Sequence, residues 1–357
     1  RDLRMSRGLG DVYKRQECMM KAVVVEKPEK ITVVERAIPE ITDNQVLLKV
    51  KAAGICGSDV GIYHGKNAFA TYPRVVGHEF VGEVVKVGSK VTNASVGDHI
   101  AVDPVVSCGH CYACNINRHN VCKSLQVMGV HRDGGYQEYV AVDQEQLNQL
   151  PKDIPWEIAA TVEPYSIGAQ VAHRGHLTGD DTVLICGAGP IGLIILQVAK
   201  MKGAKVAILD IVESRLEDAK KMGADMVVNG KETDIVDAMK EFTNGEGFNL
   251  IYEATGNVNI LQTCIQKLPS QAGRIVVLGF STVEFPLRQV DIMSKELEII
   301  GTRLNNHRFP EVISWFKDKK VDPKSIVTNT FHFTEADKAF RYNDENPDKV
   351  LKIVLTF

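Results

Sequence analysis

Four of the chain's eight cysteines fall within a single short stretch, "CGHCYACNINRHNVC". They are Cys108, Cys111, Cys114 and Cys122, spaced C-x2-C-x2-C-x7-C. Four thiolates this close can fill a tetrahedral zinc shell with sulfur alone, which leaves no position for a substrate and makes the metal structural. An iron–sulfur cluster also takes four cysteines, and spacing leaves that alternative open. A redox couple needs only two thiols. A nucleic-acid knuckle wants basic and aromatic neighbours, and only Arg118 and Lys123 lie near. His110 and His119 sit inside the cluster, but four sulfurs already saturate it, so both read as loop residues.

A second set is scattered. Cys56 lies in "GICGSD", His78 and Glu79 in "VVGHEF", and Glu163 in "VEPYS". Each residue alone is ordinary: a single cysteine in a glycine-rich strand usually packs as a small hydrophobe. Together, one thiolate, one imidazole and one or two carboxylates would make an open zinc site with room for water or an alcohol.

The third signal is "DTVLICGAGPIG", a G-x-G-x-x-G directly after a strand-like run and opening a helix. Gly187 permits the tight turn, Gly189 clears space for a pyrophosphate, and Gly192 lets helix and strand pack. Pro190 and Ile191 begin the helix, whose N-terminus faces the phosphates. Asp210 ends the next strand, 23 residues after Gly187. A carboxylate there accepts from both ribose hydroxyls and repels a 2′-phosphate, which predicts NAD rather than NADP. Arg215 lies close enough in sequence to soften that preference. Thr255, Gly279 and Arg303 complete the cofactor-facing candidates.

These residues need elements to hold them. From Lys21 to about Val142 the chain is β-rich, with short runs such as "KAVVV", "VLLKVKAAGI", "EFVGEVVKVG" and "DHIAVDPVV" broken by turn residues. The stretch 162–177 reads as a helix. Strands and helices then alternate through "DTVLIC", "KVAILD", "MVVN", "LIYEAT", "GRIVVLGF" and "LEIIGT", the pattern of a parallel doubly wound sheet. The final "KVLKIVLTF" reads as a strand returning to the first domain.

A chain of 357 residues accommodates two such domains. Net charge −3 and a pI near 6.4 argue against nucleic acid or an anionic membrane as the main partner, so a small molecule is expected. No apolar run approaches the roughly 18 residues of a membrane helix. Residues 1–18 mix both charge signs, lack an apolar core and resemble a non-native leader, with the native start expected at Met19 or Met20. Without a signal the expected compartment is the cytoplasm, where clustered cysteines are metal ligands more often than disulfides.

"GICGSD", "GHE", the four-cysteine lobe, "EP" and "GAGPIG" occur in this order, and the chain resembles the zinc-containing medium-chain dehydrogenases from Met20 to Phe357. The resemblance implies an α/β chain: a GroES-like, β-rich catalytic domain over 19–165, carrying a structural-zinc lobe at about 103–124 and completed by 306–357, and a Rossmann NAD-binding domain over 166–305. It implies two zinc ions per chain. Cys56 and His78 become ligands of the catalytic zinc, with Glu79 and Glu163 in place of the third cysteine of liver-type alcohol dehydrogenases. Ser58 matches the family's proton-relay hydroxyl. Many relatives carry a histidine five residues after the zinc cysteine; here that place is Gly61, and His64 is the substitute candidate. A homodimer or homotetramer is implied.

Within the family, "YPRVVGHEF", "IAVDPVVSCGHCYACN", "GVHRDGGYQEY" and "GTRLNN" resemble the starvation-sensing-type and L-gulonate or L-galactonate 5-dehydrogenases. That resemblance implies oxidation of a secondary hydroxyl of a sugar acid by NAD. Arg303, Arg132 and His131 are the candidates for its carboxylate, and Asn305 for its hydroxyls. Two alternatives remain: the same machinery acting on sorbitol, xylitol or L-threonine, and a zinc-stapled NAD sensor without turnover. The intact set of Cys56, Ser58, His78, Glu79 and Glu163 favours catalysis.

Overall fold

Val23, Val24 and Val25 are buried in the strand Met19–Lys27, which turns at Pro28 and at Glu29, where φ is +65°, into the antiparallel strand Lys30–Ala37. The computed structural model describes residues 19–357; the expected leader lies outside them. The chain divides into two units. The first comprises residues up to Glu163 together with Asn329–Glu345 and Lys352–Phe357, and the second Pro164–Thr328 with Asn346–Leu351.

The first unit is built on an antiparallel sheet with Gln45–Ile55 at its centre. Val46, Leu48, Val50 and Ala52 are buried at every second position, as a strand with one face on a core requires. Glu79–Val87 and Lys352–Thr356 flank it, and His99–Val102 and Leu147–Gln149 extend the sheet beyond Glu79–Val87. The run "DHIAVDPVV" forms two strands rather than one, His99–Val102 and Val105–Val106. The break falls at Pro104, which has no N–H for a ladder. Register does the positioning: Gly54 stands opposite Glu79, and Ile55 opposite Ile353.

The second unit holds six parallel strands in the order Met226–Asn229, Lys205–Asp210, Thr182–Cys186, Phe248–Glu253, Pro269–Val277, Glu298–Gly301. In chain order this is 3-2-1-4-5-6, the doubly wound arrangement, and the order reverses at the first strand, Thr182–Cys186, whose carboxyl end leads into the glycine loop. Leu184, Cys186, Ala207, Ile251 and Ile275 lie in one buried cluster. The second unit runs on to Thr328, because the apolar face of helix Phe309–Lys317 packs there, with Phe316 edge-on to Tyr165. Among the described residues, no helix is long and apolar enough to cross a membrane.

Candidate metal and dinucleotide sites

The four lobe cysteines come together as free thiols, with their sulfurs all within 4.8 Å of one another. Cys111 Sγ lies 3.6 Å from Cys114 Sγ and 3.8 Å from Cys122 Sγ. Zinc–sulfur bonds of about 2.3 Å in a tetrahedron put neighbouring sulfurs roughly 3.8 Å apart, so the spacing fits that ion. Backbone amides already serve the sulfurs: Cys108 N and Ser124 N both donate to Cys122 Sγ. The N–H of Cys114, and then that of Lys123, pull the Cys111 thiol down to about 6, while burial pushes Cys122 up. His110 Nδ1 meets Cys108 O and His119 Nδ1 meets Ser107 Oγ, so neither has that nitrogen on the sulfurs.

The second cluster has different materials. Ligand atoms of Cys56, His78 and Glu79 lie within 4.8 Å of one another. Cys56 follows the strand Gln45–Ile55 and caps the short helix Gly57–Tyr63, which carries Ser58 in its first turn. Glu79 opens its own strand, directly across from Gly54. His78 and Glu79 are buried, at 6% and 1% exposure, yet Glu79 Oε2 and His78 Nδ1 have no hydrogen-bond partner. An unsatisfied buried carboxylate oxygen is costly, and a cation is the group that would relieve it. Burial alone would lower the imidazole pKa; Asp59 and the Cys56 sulfur overcome that and raise it well above its ordinary value.

Glu163 stands outside this trio of ligand atoms. It is buried in the first turn of helix Val162–Arg174. Burial lifts its pKa to about 8; His78 and Lys352 pull the other way, and Glu79 adds to the rise. It is therefore a carboxyl within the field of the cluster.

Three residues that sequence reasoning overlooked hold the trio. Asp59 accepts from Cys56 N (2.9 Å) and Gly77 N (3.2 Å), and its Oδ1 lies 3.4 Å from His78 Nδ1, near enough to pair but not aligned for a hydrogen bond. Lys352 donates to Glu79 Oε1 (2.7 Å) and to Ile55 O (3.0 Å), and is itself buried. Burial opposes its charge, but Glu79 and then Cys56 raise its pKa above the usual lysine range. Tyr136 donates to Gly54 O. Asp59 had a signal in the sequence, as the residue three beyond Cys56 at a helix start; Lys352 had none.

In the second unit, Gly187 takes φ +104°, and a β-carbon on Gly192 would stand 1.8 Å from Gly187 O. A β-carbon on Gly189 would meet nothing within 4 Å, so the loop is open where a pyrophosphate would approach. Gly189 caps helix Pro190–Met201, with Pro190 at its first position and Ile191 next. Asp210 Oδ2 accepts from Ala188 N (2.7 Å), and Oδ1 from Ile211 N and Val212 N. The two amides occupy both acceptor sites of Oδ1, and Oδ2 keeps one for a ribose hydroxyl. Thr255 faces Gly187 and donates to the buried Glu253, which a β-carbon on Gly279 would also strike. Arg215 donates to Pro347 O, which ties its guanidinium down.

The substrate candidates are dispersed. Arg303 is exposed just beyond the strand Glu298–Gly301. Asn305 is buried and its Oδ1 accepts from Arg308 N, a local structural use. His131 Nδ1 accepts from Val127 N, and Arg132 lies 3.8 Å from Asp143. His64 is clamped between Glu29 (2.6 Å) and Asp344 (3.0 Å).

A closed thiol cluster, an open thiolate–imidazole–carboxylate set and a glycine-loop dinucleotide fold define a metal-dependent, dinucleotide-linked oxidoreductase. Residues 42–152 match the alcohol dehydrogenase GroES-like domain, and residues 190–318 the zinc-binding dehydrogenase domain. The chain is 43% identical to starvation-sensing protein RspB of Escherichia coli K12, over 95% of this chain and 99% of that one. A solved structure of the rspB alcohol dehydrogenase from E. coli CFT073, complexed with NADH, has a TM-score of 0.91 at 42% identity and covers 95% of this chain and 100% of that one. Sorbitol dehydrogenase of Bacillus subtilis is 34% identical over 94% of this chain and 97% of its own. L-galactonate-5-dehydrogenase of E. coli K12 is 31% identical over 95% of this chain and 99% of its own. The chain belongs to the zinc-binding, medium-chain alcohol dehydrogenases. It is an oxidoreductase, and zinc and NAD are the cofactors that its residues and its family require.

Proposed function

We propose that the protein oxidises a secondary hydroxyl of a sugar acid, L-gulonate or L-galactonate at C5, with NAD as hydride acceptor. The observation that carries the reading of a catalytic site is the open trio, in which Glu79 Oε2 is buried without a hydrogen-bond partner beside Cys56 and His78. Cys56, His78 and Glu79 would hold zinc, with Glu163 as a further carboxyl in reach of its field. When bound, zinc acts as a Lewis acid that lowers the pKa of an alcohol, and NAD accepts hydride. The chain's own groups do the rest. Asp59 orients the His78 ring, and Lys352 holds one oxygen of Glu79 so that the other faces the cluster. Ser58 Oγ, two residues from Cys56, would relay the alcohol proton, accepting it as its own proton passes on to a ribose hydroxyl of the cofactor. The glycine loop from Gly187 to Gly192 seats the pyrophosphate, and Asp210 the ribose. The four lobe cysteines would hold a second, structural zinc.

The sugar-acid assignment is supported by the motifs shared with that branch of the family and by the similarity to L-galactonate-5-dehydrogenase. The similarity to sorbitol dehydrogenase favours a polyol as the second reading. The deciding experiment offers the zinc-loaded protein and NAD to L-gulonate, L-galactonate, sorbitol, xylitol and L-threonine while NADH absorbance is followed. Turnover of either acid at the highest kcat/KM supports the proposal. Turnover of sorbitol or xylitol with neither acid oxidised overturns it in favour of the polyol.

A further inference from the structure

Tyr136 is fully buried, and its side chain reaches both segments of chain that carry the open trio. Its hydroxyl donates to Gly54 O at 2.9 Å, two residues before Cys56. The same hydroxyl lies 3.4 Å from Asp59 Oδ2, the oxygen that accepts from Cys56 N. Its ring occupies the space beside Gly77, the residue before His78; a β-carbon there would stand 2.2 Å from a ring carbon. Gly77 also has φ +94°, so glycine is demanded twice over at this position.

The loop leading into Tyr136 is moulded to the same segment. Gly135 N donates to Gly77 O (2.8 Å) and Tyr136 N to Val76 O (3.1 Å). A β-carbon on Gly134 would lie 2.1 Å from Gly77 O, and one on Gly135 would lie 2.3 Å from the Phe80 ring. Two successive glycines let the loop backbone close on the strand that bears His78 and Glu79. Gly54 matters on its other side too, since a β-carbon there would stand 2.1 Å from Glu79 Oε2, the unpartnered oxygen. A shift of the Gly54 carbonyl would therefore disturb Cys56 and Glu79 together.

A buried tyrosine can be simple filling, and then phenylalanine would serve. Tyr165 and Tyr252 show the contrast: Tyr165 donates to Gln197 and the Tyr252 hydroxyl has no partner, while Tyr136 is tied to the backbone that precedes a ligand candidate. We propose that Tyr136 is the positioning residue of the metal-binding set, fixing the mutual spacing of Cys56, His78 and Glu79 through Gly54, Asp59 and Gly77. The loop "GVHRDGGY" thereby acts as a clamp on the trio. This rests on the reading of that trio as a metal site.

The test uses the full chain loaded with zinc, or with cobalt as a spectroscopic stand-in, and follows metal transfer to a chromogenic chelator. Wild type should hold about two metals per chain. Tyr136→Phe should melt within a few degrees of wild type, keep the lobe metal, and release the other roughly 10- to 100-fold more readily, the size of effect typical for groups behind a ligand. Its cobalt form should show a changed absorption for the single-thiolate site. Tyr165→Phe, a buried hydroxyl elsewhere, should change neither metal. Asp59→Asn should act in the same direction as Tyr136→Phe and carries the test if that variant does not fold. Tyr136→Phe, or in its place Asp59→Asn, holding the second metal as tightly as wild type overturns the proposal. Wild type holding one metal per chain defeats the site reading beneath it, a separate and recognisable failure.

Discussion

The lobe of Cys108, Cys111, Cys114 and Cys122 and the trio of Cys56, His78 and Glu79 are both tight clusters of ligand atoms in the same unit, yet they are built in opposite ways. The lobe draws all its ligands from one stretch of chain, and neighbouring amides serve its sulfurs. The trio collects residues at two strand ends, buries His78 and Glu79 while Cys56 stays half-buried, and leaves one oxygen of Glu79 without a hydrogen-bond partner. Its order comes from a layer behind it: Asp59 under His78, Lys352 under Glu79, Tyr136 under Gly54. A site made by local spacing is complete in itself and closed. A site made by strand register has to be held open by its surroundings, and that open position is where chemistry can occur.

The two sites should differ most when a ligand is removed. Cys56→Ala should reduce turnover by more than about a hundredfold, beyond the usual loss from a supporting residue, and lower metal content by one per chain with little change in melting temperature. NADH formation and metal analysis check this; unchanged metal content would contradict the division into two sites. Cys111→Ser should show the converse pattern. It should lose the lobe metal and with it several kcal/mol of stability, since metal binding to such clusters is folding free energy. Calorimetry on matched samples reads the difference, and a variant as stable as wild type would remove the structural role.

Lys352→Met probes the supporting layer. It leaves Glu79 buried without its counter-charge, which typically costs about 3–5 kcal/mol. Urea unfolding of the metal-free protein should show the full loss, and added zinc should recover part of it.

Glu163 gives the smallest and most diagnostic effect. Its folded pKa of about 8 lies above the ordinary 4.5, so between those values the folded chain keeps a proton that the unfolded chain has released. The stability of the metal-free protein should therefore fall as pH rises across that window, by at most about 1.4 kcal/mol per pH unit from this group. Glu163→Gln should flatten the slope in urea midpoints measured from pH 5 to 8. An unchanged slope would contradict the rise that burial imposes on Glu163.

Much of this was legible in residue types. The strands and helices of the second unit follow the alternation seen in the sequence, and Gly187 and Gly192 adopt the tight turn and close packing assigned to them. Less was legible where a role depends on partners far along the chain. The stretch "GVHRDGG" suggested substrate contacts through His131 and Arg132, while its glycines lie against Gly77. His64 suggested a proton route and is held by Glu29 and Asp344. The helix Phe309–Lys317 packs through Phe316 on Tyr165, a contact between residues 151 positions apart that no local pattern marks.

The sequence by itself determined the closed cluster, the glycine loop and the identity of the ligand candidates, because each depends on residue type and short spacing. How the open site is kept open emerges from contacts made in the folded chain. Lys352 and Glu79 are 273 residues apart, and Tyr136 and Gly54 are 82 apart. Antiparallel pairing sets Gly54 across from Glu79 and Ile55 across from Ile353, the residue after Lys352. Hydrogen-bonded register between distant strands is a property of the folded sheet, and no short stretch of the chain contains it.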